Sequence, residues 1–415
     1  MAKKILFITL EYPPVHGGVA SYYVGLMGEL ERQGHVVRVI ADDGGYSYDH
    51  SQLPSPGLRP PSPAGRGEGE GTWRGALLSR WIWPRWLRGY VTVRATIKKE
   101  KPDVLFVGQV LPLGTVAYLL RRRVPYVVFT HGMDVLMAQK SWRKRQLVKK
   151  IFTHARCIVA NSEFTKSEVA KMMSGKKLTI VNNLPSAVVV YPCPDQNIAT
   201  EVRQEEVEVL RHRLGLSGKR VLLTLGRVVS RKGHDLVLRA LPEILKHVPN
   251  VIYVVAGDGP DLGRLQKMVN DPHPTPLPKG EGSRRQGEGL QSSVRFVGSV
   301  SDSERPLYYA LCDLFVMPSR QEGADVEGFG LAFLEAALFG KPSIGGRSGG
   351  VPEAILDGKT GALVDPNDAN ALARTVVQLL HSDRLRHELG QNAKARAMHE
   401  FRWERQVERL ISKLS

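Results

Sequence analysis

The chain alternates short, unbroken apolar runs with longer stretches of helical periodicity. KKILFITL opens the pattern, a Gly-containing loop, EYPPVHGG, follows, and VASYYVGLMGELERQG carries apolar residues at helical spacing. HVVRVIA, DVLFVGQV, PYVVFTHG and CIVANS repeat the apolar run, each nearly continuous in Val, Ile or Phe. Strands of this kind, separated by helices, predict a parallel sheet covered on both faces. After a polar stretch around 195–218 the rhythm restarts at RVLLTLGR and continues through VIYVVAGDG, VRFVGSV, LFVMPS and KPSIGG. Two doubly wound α/β domains are therefore expected, with a cleft between them and a join near residues 190–215. At 415 residues the chain is also too long for one comfortable core.

Two segments break the rhythm: PSPGLRPPSPAGRGEGEGT at 54–72 and PHPTPLPKGEGSRRQGEGLQSS at 272–293. Neither has apolar periodicity, so both are expected at the surface. Each carries a GEG element beside Pro and Arg, which suggests insertions of one related repetitive element. Long surface loops cost little closure entropy, so deleting either should leave activity intact.

Composition narrows the class. The apolar share of 42% and charged share of 24% are those of a soluble globular protein. Cys157, Cys193 and Cys312 lie too far apart for a metal or redox motif, which fits free thiols in a reducing cytoplasm. The apolar ILFITL near the start stops before Glu11, too short for a secretory leader, and Val104–Leu120 is interrupted by Gly108, Pro112 and Gly114; no membrane span is expected.

Charge changes the picture more. Residues 1–190 hold 28 Lys/Arg against 13 Asp/Glu, while the remaining 225 hold 30 against 28. A basic N-terminal half beside a nearly neutral one suggests that the first half meets an anionic surface. Trp73, Trp81, Trp83 and Trp86 sit among Arg74, Arg80, Arg85, Arg88 and Arg94, with Arg121-Arg122-Arg123 and SWRKRQLVKK (141–150) further on. Trp with Arg suits a bilayer interface; the alternative is a partly buried aromatic cluster with solvated basic edges. No nucleic-acid motif accompanies the charge.

Candidate chemistry gathers in two stretches. In LTLGRVVSRKGHDLVLRAL (223–241) the apolar run ends at Leu225, Gly226 allows a turn, and Arg227 and Lys232 follow. Two cations at the carboxyl edge of a strand can hold a diphosphate, Arg as a fork and Lys as a point charge; otherwise this is a basic loop before a helix. In EGADVEGFGLAFLEAALFGKPSIGGRSGG (322–350), Phe329–Phe339 reads as a buried helix with Gly328 and Gly330 at its N-terminal edge, where amides favour a phosphate. Eight helical residues span about 12 Å, so Glu327 and Glu335 could address opposite ends of an extended ligand. Glu335 stands among Leu334, Ala336, Ala337 and Leu338, and an apolar setting rarely takes a lone carboxylate without a hydrogen-bonding partner. A ribose diol is one such partner, an internal Arg another.

The paired glutamates of EGFGLAFLE, after the turn GRVVSRKG, resemble the retaining glycosyltransferases of family four. The resemblance runs on through EYPPVHGGVASY, THGMDV, ANSEFT, VAGDGP, VRFVGSVSD and RSGGVPEAILDGKTGALVDP, and so covers nearly the whole chain apart from the two insertions. The DVEGFG wording is similar to bacterial mannosyltransferases that modify phosphatidylinositol and related acceptors. One stretch departs: VNNLPSAVVV (181–190) stands where the family usually has an Asn-Gly-Val-Asp turn.

The resemblance implies a GT-B fold of two Rossmann-like parallel-sheet domains. Residues 1–195 would bind the acceptor and 205–390 the nucleotide sugar, with 391–415 a closing helix packed back on the first domain. It implies that Arg227 and Lys232 bind the donor diphosphate, Glu335 the ribose, and Glu327 with the amides around Gly328, Phe329 and Gly330 the transferred sugar or its phosphate. Gly17 and Gly18 would approach the diphosphate from across the cleft, unless they form a plain turn. His131 would lie by the sugar with Asp134 nearby, unless it is a satisfied structural histidine.

No Asp-x-Asp occurs, so no metal is expected to be required and the two cations would stand in for it. The expected reaction is retaining transfer of a hexose, mannose favoured, from GDP-mannose or a UDP-sugar to a lipid-linked or envelope-glycan acceptor, by front-face attack. No other cofactor is implied. The expected location is cytoplasmic, peripheral on the inner face of the plasma membrane, with no nucleic-acid partner. A transferase for a soluble acceptor and an inactive nucleotide-sugar-binding protein remain as alternatives.

Overall fold

The structure, a computed structural model, describes residues 2–13, 17–42, 47–49, 77–78, 83–174, 186–199, 202–270 and 290–414. Two compact units divide the chain: Met1–Cys193 with Phe401–Ser415, and Pro194–Glu400. Residues 54–72, residues 272–289 of the second insertion, Trp73, Arg74, Arg80, Trp81 and residues 181–185 lie outside the described residues.

The first unit is built on a seven-stranded sheet. Its strands are β1 (Lys4–Thr9), β2 (Val36–Ala41), β3 (Ser47–Asp49), β4 (Val104–Val107), β5 (Tyr126–Thr130), β6 (Cys157–Ala160) and β7 (Ser186–Val189), in the order β3-β2-β1-β4-β5-β6-β7. All pairings are parallel except β3 against β2. Side chains leave a strand to alternate faces, and both faces here are dry. Leu6, Ile8, Leu105, Val107 and Val128 enter one apolar cluster; Ile5, Phe7, Val104, Phe106, Val127 and Phe129 enter the opposite one. This two-sided burial is why the strands read as unbroken apolar runs.

The second unit has a six-stranded, wholly parallel sheet of β8 (Arg220–Leu225), β9 (Val251–Ala256), β10 (Val294–Gly298), β11 (Leu314–Met317), β12 (Ser343–Gly346) and β13 (Gly361–Val364). Its order is β10-β9-β8-β11-β12-β13. The ten apolar runs that open as strands in the sequence all do so here. Three further strands were not visible as runs: β3 is three polar-rich residues, β7 lies just before the stretch read as a join, and β13 is Gly-Ala-Leu-Val.

Both orders reverse once, between β1 and β4 and between β8 and β11. At such a switch point neighbouring crossovers run to opposite faces and leave a crevice at the carboxyl ends of the strands. Glu11, Tyr12, Gly17 and Gly108 sit there in the first unit; the Gly226–Gly233 and Pro318–Gly330 loops sit there in the second.

The C-terminal region divides at Phe401 rather than at 391. The helix Asp383–Glu400 stays with the second unit, its Ala393 and Ala397 packed on Ala337 and Leu338. The helix Trp403–Ile411 joins the first unit, where Val407 and Leu410 enter the cluster with Ile5 and Phe7. Gln406 accepts a hydrogen bond from the Tyr191 amide at 3.0 Å, and Arg156 donates to the Leu414 carbonyl at 2.8 Å.

Candidate active site

In the second unit β8 ends at Leu225 and the chain turns through Gly226. Arg227 is exposed and has no hydrogen bond or ion pair among the described residues. Lys232 curls back over the turn, its Nζ 3.5 Å from Glu327 Oε2 and 3.2 Å from Met317 Sδ at the end of β11. Glu327 is thereby drawn to the same strand edge. Its Oε2 also accepts from Arg231 Nη1 at 2.5 Å, while Arg231 Nε meets Asp325 at 2.8 Å.

A second arginine staples the two loops together. Arg320 donates to Asp235 at 2.8 Å, to Glu322 at 2.7 Å and to Ser230 at 2.9 Å, and its amide bonds the Arg231 carbonyl. Burial pushes the Glu327 carboxyl up, but Lys232 and Arg231 outweigh it and hold the group below the usual carboxylate range. A poorly solvated carboxylate kept ionised between two cations is suited to accepting sugar hydroxyls or facing developing positive charge.

The segment after Glu327 differs from the expected helix. The helix is Leu331–Leu338, because Gly330 adopts φ 96°, a left-handed conformation that side-chain-bearing residues avoid. The spacing of 1.5 Å per residue therefore does not hold between Glu327 and Leu331. Gly328, Phe329 and Gly330 are buried backbone ahead of that helix, and the Phe329 ring is inside the unit. Gly349 and Gly350 hold the loop from below: a Cβ there would lie 2.3 Å from the Glu327 carbonyl and 2.0 Å from that of Gly328.

Glu335, 7% exposed, is paired with an internal arginine, one of the two partners its apolar setting called for. Arg305 Nη2 donates to both carboxylate oxygens at 2.6 Å, and Tyr309 donates to Oε2 at 2.6 Å. Arg305 and Tyr309 stand four apart on the helix Arg305–Leu311, so both reach the same carboxylate. An ionised carboxylate has about four acceptor positions, so Glu335 keeps capacity for one hydroxyl beside these three bonds.

The remaining predicted residues belong to the first unit. Gly17 and Gly18 are exposed at the start of the helix Gly18–Arg32, and no described atom lies within 4 Å of a Cβ placed on either. Packing inside the unit therefore does not demand glycine there. His131 follows β5 directly, part-buried between the Tyr22 and Tyr23 rings, whose centroids lie 5.5 and 5.4 Å from its own. Burial lowers its pKa to about 4, so the imidazole is neutral at pH 7. Asp134 Oδ1 accepts from the amides of His131 at 3.1 Å and Val135 at 2.9 Å, while buried Oδ2 has no partner among the described residues. Burial raises the Asp134 pKa to about 6 against those bonds.

Sequence reading missed Arg231, Arg305, Tyr309, Arg320 and Tyr23. Arg231 adjoins Lys232, and Arg305 and Tyr309 share a helix face; those spacings were the available signals. Arg320 and Tyr23 carry none that points to the site, because Asp235 and Ser230 for the one, and Gly108 and His131 for the other, lie 85 or more residues away.

Comparison with known proteins adds what geometry does not. Residues 16–184 match the family described as Glycosyltransferase Family 4, and residues 219–382 match Glycosyl transferases group 1. The GDP-mannose-dependent alpha-(1-6)-phosphatidylinositol monomannoside mannosyltransferase of Mycolicibacterium smegmatis is 30% identical over 421 residues, covering 99% of this chain and 98% of that protein. A related enzyme of Corynebacterium glutamicum, named for a monoacylated form of that acceptor, is 26% identical, covering 99% and 97%. Among solved structures, Anabaena HepE in complex with UDP and glucose superposes with a TM-score of 0.69 at 18% identity, covering 99% of each chain. Sucrose-phosphate synthase from Thermosynechococcus elongatus gives 0.72 at 21%, covering 99% and 98%. Both share the GT-B fold with this chain.

Proposed function

The chain belongs to glycosyltransferase family 4, and on that premise we propose that it moves mannose, with retention, from GDP-mannose to a phosphatidylinositol-mannoside-like lipid acceptor. The observation that carries the donor and acceptor is similarity at 30% identity across 99% of the chain to an enzyme named for both. The Glu327–Lys232–Arg231 cluster at the β8/β11 switch point supports the site assignment.

In this reading Lys232 and Arg227 take the donor diphosphate and neutralise the leaving GDP as the sugar–phosphate bond lengthens, so the reaction needs no metal. A phosphate arriving at Lys232 leaves Glu327 with Arg231 as its counter-charge. Glu327, still ionised, then holds the sugar hydroxyls beside the oxocarbenium-like carbon. Glu335, oriented by Arg305 and Tyr309, accepts a ribose hydroxyl. The amides of Gly328, Phe329 and Gly330 and the backbone of Gly17 and Gly18 approach the phosphates, and His131 meets the sugar. Retention would follow from front-face attack, with the leaving phosphate taking the acceptor proton.

We also propose that the first unit works at the inner face of the plasma membrane. No helix among the described residues is long and apolar enough to cross a bilayer. Trp83 is 90% exposed and Trp142 73%, beside the basic helices Leu87–Glu100 and Trp142–His154, which suits insertion at an anionic headgroup layer.

Thermal-shift titration with GDP, UDP and ADP tests the donor, and sedimentation with phosphatidylinositol vesicles tests the surface. The expected results are the largest shift with GDP and salt-sensitive vesicle binding. A larger shift with UDP would overturn the donor, and no sedimentation at low salt would remove the membrane reading.

A further inference from the structure

Tyr23 lies on the buried face of the helix Gly18–Arg32 and is fully buried. Its hydroxyl donates to the carbonyl of Gly108, the residue after β4, and lies 2.6 Å from His131 Nε2. Gly108 admits this approach because it lacks a Cβ, which would stand 3.2 Å from Tyr23 Cε2 and 2.7 Å from Thr9 Oγ1. A phenol has one proton. The Gly108 carbonyl has none, and two oxygens in hydrogen-bond contact without a proton between them repel. The phenol proton therefore sits on the Gly108 side, and the proton in the second contact comes from His131 Nε2.

We propose that Tyr23 is a positioning residue that fixes His131 as the Nε2–H tautomer and leaves Nδ1 as its hydrogen-bonding atom for substrate. The ring is flanked by two aromatic rings that hold its plane. Tyr22 stands edge-on to it at 87° and Tyr23 at 79°, and Tyr22 is itself backed by Trp403, with ring centroids 5.4 Å apart. The His131 amide is tied to Asp134. Nδ1 has no partner among the described residues, and with a lone pair and no proton it accepts from a hydroxyl group. A neutral His131 thus orients a substrate O–H and does not donate a hydrogen bond to a leaving phosphate. Stabilising that phosphate falls to the cations instead. The inference rests on the proposed placement of His131 beside the sugar only for the identity of that hydroxyl; the tautomer itself does not depend on it.

The test is nitrogen-15 NMR of histidine-labelled full-length protein at pH 7, with His131→Asn used to assign the signal. The expected spectrum has protonated Nε2, unprotonated Nδ1 and a slowly exchanging Nε2 proton. In Tyr23→Phe that proton should exchange freely, and kcat should fall about tenfold with donor KM changed less than about twofold, one lost oriented hydrogen bond. A protonated Nδ1 in the wild-type spectrum overturns the proposal, as does a Tyr23→Phe enzyme with wild-type kcat. The wild-type spectrum decides even if the variant folds poorly. A wrong donor assignment would show instead as absent transfer with the tautomer signature intact.

Discussion

The two switch points of this chain hold polar side chains by opposite means. In the second unit Glu327 is ionised and gripped by Arg231 and Lys232, with Arg320, Asp235 and Glu322 closing the network. In the first unit His131 is neutral, Asp134 is pushed towards neutrality, and Tyr23 and backbone groups make the bonds. In the proposed function the second unit's crevice takes a diphosphate, which calls for cations with a carboxylate held ionised by them, and the first unit's orients hydroxyl groups, which calls for acceptors and donors in fixed directions. Charge pairing builds the one and burial builds the other.

The contrast should break first at Lys232. Lys232→Ala removes a cation proposed to face the donor diphosphate and is expected to lower transfer about 10²–10³-fold, with weaker GDP binding by calorimetry. Glu335→Ala should also weaken GDP binding; unchanged affinity in both variants would overturn the site assignment. Arg231→Met leaves the part-buried Glu327 with only Lys232, and breaking such a pair should cost up to about 3 kcal/mol in urea unfolding at pH 7. The sign follows from the lowered pKa of Glu327. Its stabilisation is present above the unfolded carboxylate value and lost as pH falls through the folded one, so the deficit of the variant should shrink in acid.

Asp134→Asn should act in the reverse direction and more weakly. The Asp134 pKa is raised from 3.8 to about 6, so any stability it contributes is present below 3.8 and lost as pH rises through 6. Replacing it with an amide that keeps Oδ1 should raise stability at pH 7 by about 1 kcal/mol, with little gain at pH 4. A loss of stability at pH 7 would show that the carboxylate charge is satisfied after all. The smallest expected effect is on Arg227. Exposed and without a partner among the described residues, it can be replaced by Ala with an expected stability change within about 0.5 kcal/mol, while GDP binding weakens.

The same contrast explains what was legible in the sequence. Strands buried on both faces announce themselves, so both sheets were largely readable; Gly361–Val364 and Ser186–Val189 are no shorter than Val104–Val107, but each opens on a small residue and is only partly buried. Family motifs marked Lys232, Glu327 and Glu335 in one unit and His131 in the other, because each motif is a short stretch that can be read locally in sequence. The groups that set their chemistry were not marked. Arg305 lies 30 residues before Glu335, and Tyr23 lies 108 before His131. Only the sheet order brings such pairs together, and no periodicity encodes it. The helix start at Leu331 was misplaced because an apolar run does not reveal that Gly330 turns left-handed.

The proposed activity is mannosyl transfer to a lipid acceptor. Its most direct test is transfer of labelled mannose from GDP-mannose to phosphatidylinositol mannoside in vesicles, with the product's anomeric configuration read by NMR. The account predicts transfer with an α-linked product and loss of transfer in Lys232→Ala. A β-linked product, or transfer from a UDP-sugar in place of GDP-mannose, would contradict it.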